Sequence, residues 1–496
     1  MLQRIKINLA GKKEIIIPPA AKERILKARA LVETVIAAGK IVYGINTGFG
    51  KLSSVRIPAD QLTQLQINLL RSHACGVDDP IDIDVVKIMM ILKVHNLSVG
   101  NSGVSFEAVE KIAELYNKGI YPVVPRRGSV GASGDLAPLA HMSLPLIGEG
   151  EVFYNNERVE SEDLVKQGVY RPANLGAKDG LSLINGTQYS TALLVYAYLE
   201  AEKIVHMAEL ALALSIEADL ATDKPFDERI HILRRQKGQM EVAENVRKLL
   251  KYSKLVESHK DCNKVQDPYC YRCAPQVIGS VRDTLNYIKS ILEKEVEAVT
   301  DNPLVFVDEE EIISAGNFHA EPIAMAADYL SIAMTELGNI SERRTANLID
   351  TTMSGLPPFL IESSGLNSGF MIAQVTAAAL TAENRTLANP ASVQTIPTSA
   401  NQEDHVSMAP NAGLKLLQIM KNVKQIIWIE MLAATQGIDF RGNLKGGIGT
   451  QMGYDKIRSL VKHLDYDRTF YKDLNRAEEF FRDEEFYKKL LEVINN

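Results

Sequence analysis

The sequence predicts a mainly α-helical protein: a long central helical bundle, a smaller loop-rich N-terminal region carrying the active site, and little β-structure. Three observations carry that expectation. Across 186–218, Leu193, Leu194, Tyr198, Ile204, Val205, Leu212 and Ile216 recur at helical spacing, and only Glu202, His206 and Glu209 form a polar stripe. Similar long patterns return at 276–299, 321–349 and 406–436. Strand-like alternation is confined to short stretches near the start and at 148–159. At the usual rise the first long helix would run ~50 Å, and a helix that apolar must be nearly surrounded. Burying four such lengths needs more covering layers than one chain provides, so the bundle is read as shared between subunits. The expected layout is an N-terminal region (1–185), the bundle (186–440) and a helical tail (441–496).

Composition narrows the class of function. Hydrophobic residues make up 46% of the chain and charged ones 24%, ordinary values for a soluble globular protein. A net charge of −7 offers no field for nucleic acid or an anionic membrane, which leaves a small-molecule substrate. No apolar run approaches the ~18 residues needed to span a bilayer. Four cysteines, Cys75, Cys262, Cys270 and Cys273, are too few for a secreted disulfide framework. A cytoplasmic protein is expected.

In chain order, 1–19 alternates apolar and charged residues through Ile5, Ile7, Leu9 and 15–17, a strand pattern and not a signal core. A helix is expected over 19–38, closed by Gly39. The stretch 42–50 then holds Gly44, Gly48 and Gly50, a loop that either packs Tyr43 beneath a surface turn or carries function. A helix over 61–70 leads into Arg71-Ser72-His73-Ala74-Cys75-Gly76-Val77, where His73 is a structural hydrogen-bonder or a substrate contact. Helices over 82–97 and 105–118 deliver the chain to 125–141, the segment with the most chemistry.

There Gly128, Gly131 and Gly134 fall three apart, so the backbone can take positive φ and fold back on itself. The unhindered amide nitrogen of Gly134 could close on the carbonyl of Ala132, and dehydration of Ser133 would leave an alkene conjugated to the new ring. Such a group is a strong electrophile, which ordinary side chains do not supply. The competing account is a glycine loop cradling phosphate at a helix N-terminus. Asp135, read as the N-cap of the following helix, argues against an anion there, and neither standard phosphate-loop motif is present.

Beyond the segment, 148–159 reads as a hairpin turning at Asn155-Asn156, and Asn185 follows an apolar run as a helix cap or a buried polar contact. Three polar connectors separate the long helices. In 266–276, Gln266, Tyr269 and Arg272 combine an amide, a phenol and a guanidinium; Arg suits a substrate carboxylate or a structural Asp. The second, 316–322, holds Phe318, His319 and Glu321; the third, 399–408, holds Glu403, Asp404 and His405. Cys270-Tyr271-Arg272-Cys273 with His319-Ala320-Glu321 has the elements of a zinc-dependent hydrolytic deaminase in reversed order, and Tyr269 stands where that pattern has proline. A lone Cys-x-x-Cys without a second pair is a poor zinc site, so no metal is expected. A charged helix over 476–495 closes the chain, its Phe480-Phe481 pair suited to docking on a neighbouring surface.

The run Gly128-Ser129-Val130-Gly131-Ala132-Ser133-Gly134-Asp135-Leu136-Ala137-Pro138-Leu139 resembles the signature of the histidine/phenylalanine ammonia-lyase family, and the likeness extends over about 43–408. The resemblance implies that Ala132, Ser133 and Gly134 cyclise to a methylidene-imidazolone, with no external cofactor. It implies Tyr43, in its Tyr-Gly-x-x-Thr-Gly-Phe-Gly lid loop, as the catalytic base; its phenol, near ~10 in reference peptides, must be depressed, and Arg272 is the candidate cation. Arg272 and Asn185 would hold the substrate carboxylate, Tyr269 would orient the amine or ring, and Gln266 and Phe318 would line the prosthetic group. His73, together with Glu403 in Gln402-Glu403-Asp404-His405-Val406-Ser407-Met408, is similar to the histidine-type version and would grip an imidazole. The resemblance thus implies elimination of ammonia from L-histidine to trans-urocanate, in a homotetramer with shared sites. A tyrosine-directed lyase or aminomutase of the same family, and a catalytically inactive helical scaffold, stay open. Tyr271, where leucine or isoleucine is usual, and Pro410-Asn411, where Ala-His is common, depart from the family pattern.

Overall fold

The computed structural model describes residues 1–9, 11, 14–48, 54–260 and 265–496, and helices dominate it. The four long helices are Gln188–Asp219, Ala274–Glu295, Glu321–Ile349 and Ala409–Asp439. The last starts three residues later than the apolar pattern at 406. Pro410 explains the offset, because its fixed φ and missing N–H suit a first turn and no later one.

The chain forms two compact units. The first comprises 1–197, 289–328 and 390–414. It holds the helices Pro19–Ala37, Ile83–Ser98 and Phe106–Asn117, with Ala28 and Val32 packed against Ile45 and Val305 in one buried cluster. Its β-structure is three small antiparallel sheets: Val77–Pro80 with Pro125–Arg127, Tyr121–Pro122 with the hairpin Glu151–Tyr154 and Glu157–Glu160, and Leu304–Phe306 with Glu311–Ile313. The hairpin turns at Asn155 and Asn156, both at positive φ, which asparagine tolerates.

The first eight helical residues correct the sequence reading. Leu2–Leu9 is a helix and not a strand. Its buried residues, Ile5 and Asn8, lie three apart on one helical face, so the apolar-charged alternation misled over so short a span.

The second unit comprises 198–288, 329–389 and 415–496. At its centre the fully buried Glu430 accepts from Ser215 Oγ (2.7 Å) and Ser341 Oγ (2.6 Å) and pairs with Arg344 through Nε (2.5 Å). Over 476–495 the chain forms two helices, Ala477–Phe481 and Glu484–Asn495, and not the single one expected. Asp483 breaks the run by capping the last helix, accepting from Phe486 N at 2.8 Å. Phe480 is buried against Trp428, ring centroids 5.0 Å apart, so the aromatic pair docks on the chain's own Ala409–Asp439 helix.

Candidate active site

In the first unit the glycines of 125–141 behave as their spacing requires. Gly128, Gly131 and Gly134 have φ of 146°, 69° and 74°. A Cβ on Gly131 would stand 2.3 Å from Ser407 Oγ, and one on Gly134 the same 2.3 Å from the Gly186 carbonyl oxygen. No side chain fits either place. The turn is pinned on both flanks: Met408 N–H donates to Val130 O at 2.9 Å, and Asp135 N–H donates to Gly186 O at 2.8 Å. Ala132-Ser133-Gly134 is thereby held in a backbone too tight for any residue but glycine at its third position.

Asp135 stands at the N-cap position of Leu136–Ser143 but does not cap it. Its buried carboxylate instead accepts from Ser190 N (2.8 Å) and Ser190 Oγ (2.7 Å), in the first turn of Gln188–Asp219. Burial pushes the group up to about 6, against those hydrogen bonds.

The short helix Asp179–Ile184 organises the surroundings. Every residue in it is buried, and Asn185 forms its C-cap. Leu181 N–H donates to Gln66 Oε1 at 3.2 Å, which seats Leu62–His73 against it. A Cβ on Gly44 would lie 2.3 Å from Leu181 Cδ2, so the Tyr43 loop closes onto the same helix. That loop is laced by Val42 N to Asn46 Oδ1 (2.9 Å), Asn46 Nδ2 to Lys40 O (2.7 Å) and Gly48 N to Val55 O (2.9 Å). Phe49 and Gly50, the end of its motif, lie outside the described residues.

Asn185 points its Oδ1 at Ser133 Oγ, 3.4 Å away. Its orientation is fixed from behind: Nδ2 donates to Asn302 O (2.9 Å) and Asp301 Oδ1 (3.3 Å), and its backbone carbonyl accepts from Lys93 Nζ at 2.6 Å. Asp301 also accepts from Ser102 Oγ (2.5 Å) and Lys178 Nζ (2.8 Å). All of these groups except the half-buried Ser133 are buried. Burial pulls the Lys93 amine down to about 7 despite the Asp301 charge. Burial also works against the Asp301 carboxylate, yet Lys178 and Lys93 hold it below the usual carboxylate range. Lys93, Lys178 and Asp301 escaped the sequence reading. The available signal was Lys93, a charge inside an apolar helical run.

His73 closes Leu62–His73, its Nδ1 2.9 Å from Leu69 O. That carbonyl only accepts, so Nδ1 carries the proton and Nε2 offers a lone pair in the neutral ring. Burial holds the imidazole below its ordinary value, opposed by the Leu69 hydrogen bond and by the charge of Glu403. Glu403 therefore acts on His73 although 330 positions separate them in the chain. Glu403 is held by Thr398, whose Oγ1 donates to Oε2 at 2.9 Å across a turn with positive φ at Ser399, Ala400 and Asn401. Phe318 lies half-buried in a turn closed by His319 N to Gly316 O at 3.0 Å.

Gln266, Tyr269 and Arg272 belong to the second unit. Gln266 and Tyr269 are exposed; Arg272 lies over the Tyr269 ring at 4.8 Å and donates from Nε to Asp267 O at 3.0 Å. Burial pushes the Cys270 thiol up to about 11, which disfavours the thiolate a zinc site needs. Cys262 lies outside the described residues. The first unit thus gathers Ser133, Asn185, His73 and Glu403 by contact or by charge, while Arg272 and its neighbours are built on the second.

The family described as Aromatic amino acid lyase matches residues 2–459. A histidine ammonia-lyase from Idiomarina loihiensis is 50% identical over 466 residues, covering 94% of this chain and 91% of that protein. The crystal structure of a histidine ammonia-lyase from Trypanosoma cruzi superposes with a TM-score of 0.91 at 39% identity, covering 99% of this chain and 94% of that one. A tyrosine aminomutase from Streptomyces globisporus superposes with a TM-score of 0.92 at 32% identity, covering 100% and 97%. Fold likeness differs by only 0.01 in TM-score between the last two, so the fold alone does not select a substrate.

Proposed function

The chain belongs to the aromatic amino acid lyase family, and on that premise we propose that it eliminates ammonia from L-histidine with an electrophile made from its own Ala132, Ser133 and Gly134. It is a carbon–nitrogen lyase, and the products are trans-urocanate and ammonia. The family uses a protein-derived methylidene-imidazolone. The residues here fit that group: Gly134 sits at positive φ where Gly186 O excludes any Cβ, and Asn185 Oδ1 faces the Ser133 hydroxyl. In its formation Gly134 N bonds to the Ala132 carbonyl carbon, and two waters leave, one from that carbonyl and one from Ser133. Once formed, it supplies an electrophile that draws electron density from the bound substrate.

The remaining work falls to side chains. Tyr43 takes the β-proton, and the lid on which it stands closes over the site and excludes water. His73 and Glu403 grip the substrate imidazole, the Glu403 carboxylate accepting from its N–H, a polar grip that an apolar pocket would not give. Arg272 and Asn185 bind the carboxylate; Tyr269 orients the amine; Gln266 and Phe318 line the prosthetic ring. The substrate reading rests most on one observation, the match to a histidine ammonia-lyase at 50% identity over 94% of this chain. The test is urocanate absorbance with L-histidine, run beside L-tyrosine and L-phenylalanine. Turnover is expected for L-histidine alone; faster release of coumarate from L-tyrosine would overturn it.

The assembly is a homotetramer with sites built from several chains. Support comes from Met325, Tyr329 and Ile332 on Glu321–Ile349, exposed at i, i+4 and i+7, an apolar stripe for another copy to cover. Free thiols at Cys75, Cys270 and Cys273 support a cytoplasmic location. Among the described residues no helix is long and apolar enough to cross a membrane.

A further inference from the structure

Two connectors of the first unit meet in a cluster that the elimination does not use. His319 ends the turn that carries Phe318, Glu321 opens the Glu321–Ile349 helix, and His405 lies two positions beyond Glu403. One donor atom from each of His319, Glu321 and His405 lies within 4.8 Å of the others. The two imidazoles stack at 5.8 Å and 10°, and His319 Nε2 stands 3.2 Å from His405 O. Because that carbonyl only accepts, Nε2 carries the proton and Nδ1 of the neutral ring presents its lone pair. Glu321 Oε2 is buried and meets no donor. A buried carboxylate oxygen with no partner is costly, and the groups gathered beside it are two further electron-pair donors.

We infer that His319, Glu321 and His405 form a binding site for a divalent transition-metal ion of the zinc class. Two imidazoles and one carboxylate are the donor set that favours such ions over magnesium or calcium, which prefer oxygen alone. Three protein ligands leave a fourth position to water. Metal–donor distances of about 2.0–2.2 Å require the three groups to draw in from their present spread, and the exposed His405 has the freedom to do so. The ion ties the connector bearing Phe318 to the connector bearing Glu403. It takes no part in the elimination itself.

The full-length, tag-free protein is dialysed against EDTA and titrated with Co²⁺, read by its visible absorption, and with Zn²⁺, read by calorimetry. One ion per chain is expected, with the Co²⁺ band of a nitrogen- and oxygen-ligated site. Glu321→Gln and His405→Asn should each weaken binding by about tenfold or more, with helical circular dichroism and the mass of the Ser133 peptide unchanged. His405 is exposed, so its variant keeps the test open should Glu321→Gln fold poorly. Absence of any Co²⁺ band and of Zn²⁺ heat at micromolar protein overturns the site, and so does equal affinity in both variants. The outcome is separate from the lyase reading, because urocanate release and prosthetic-ring mass are scored independently.

Discussion

At Asn185 both hydrogens of the side-chain amide are spent on Asn302 and Asp301, so its oxygen is the atom left for Ser133. In the proposed reaction that is how a cap residue enters the chemistry, and the surrounding residues should be sensitive to single changes. Gly134→Ala forces a methyl group to within 2.3 Å of the Gly186 carbonyl at a φ of +74°, so peptide mapping should find the segment uncyclised and the protein inactive. Glu403→Gln removes a charged acceptor worth about 1.5–3 kcal/mol, which corresponds to about a 10- to 150-fold loss of kcat/KM for L-histidine; unchanged kinetics would refute its grip on the ring. Lys93 gives a pH prediction. Burial lowers the folded amine to about 7, whereas the unfolded chain keeps its proton to ~10.4. Between those limits the unfolded state binds more protons, so this group makes stability rise with pH across that window. In Lys93→Met the urea midpoint should rise less from about pH 7 to pH 10 than in the parent, and parallel slopes would count against the buried amine.

At the scale of elements, the hub is Asp179–Ile184, which seats the His73 helix through Gln66 and the Tyr43 loop through Gly44. Behind it Lys178 and Asp301 pair at 2.8 Å with both side chains fully buried. Asp301→Asn leaves Lys178 without its counter-charge, and a loss of about 3–5 kcal/mol in chemical denaturation is expected; a loss below 1 kcal/mol would mean the pair is solvated. The helices and the glycine turn were legible in sequence because apolar period and positive-φ residues are local signals. What was not legible was long-range. Asp135 looked like an N-cap because it precedes a helix, yet its carboxylate serves Ser190, 55 positions on. Asp301 and Lys178 sit 123 positions apart, and nothing local in either marks the pairing. The start of the chain failed for the opposite reason: eight residues are too few to separate a helical period from a strand's.

For the whole molecule, the exposed stripe Met325, Tyr329 and Ile332 calls for a covering surface. Light scattering should return four copies per particle; a monomer with full activity would contradict shared sites. The proposed function depends on one chemical event, the closing of Ala132-Ser133-Gly134 on itself. The intact mass of active protein, with the Ser133 peptide mapped, tests it most directly. The account predicts a deficit of two waters confined to that peptide and absent in Ser133→Ala, which should release no urocanate. An unaltered mass in a preparation that still deaminates L-histidine would contradict it.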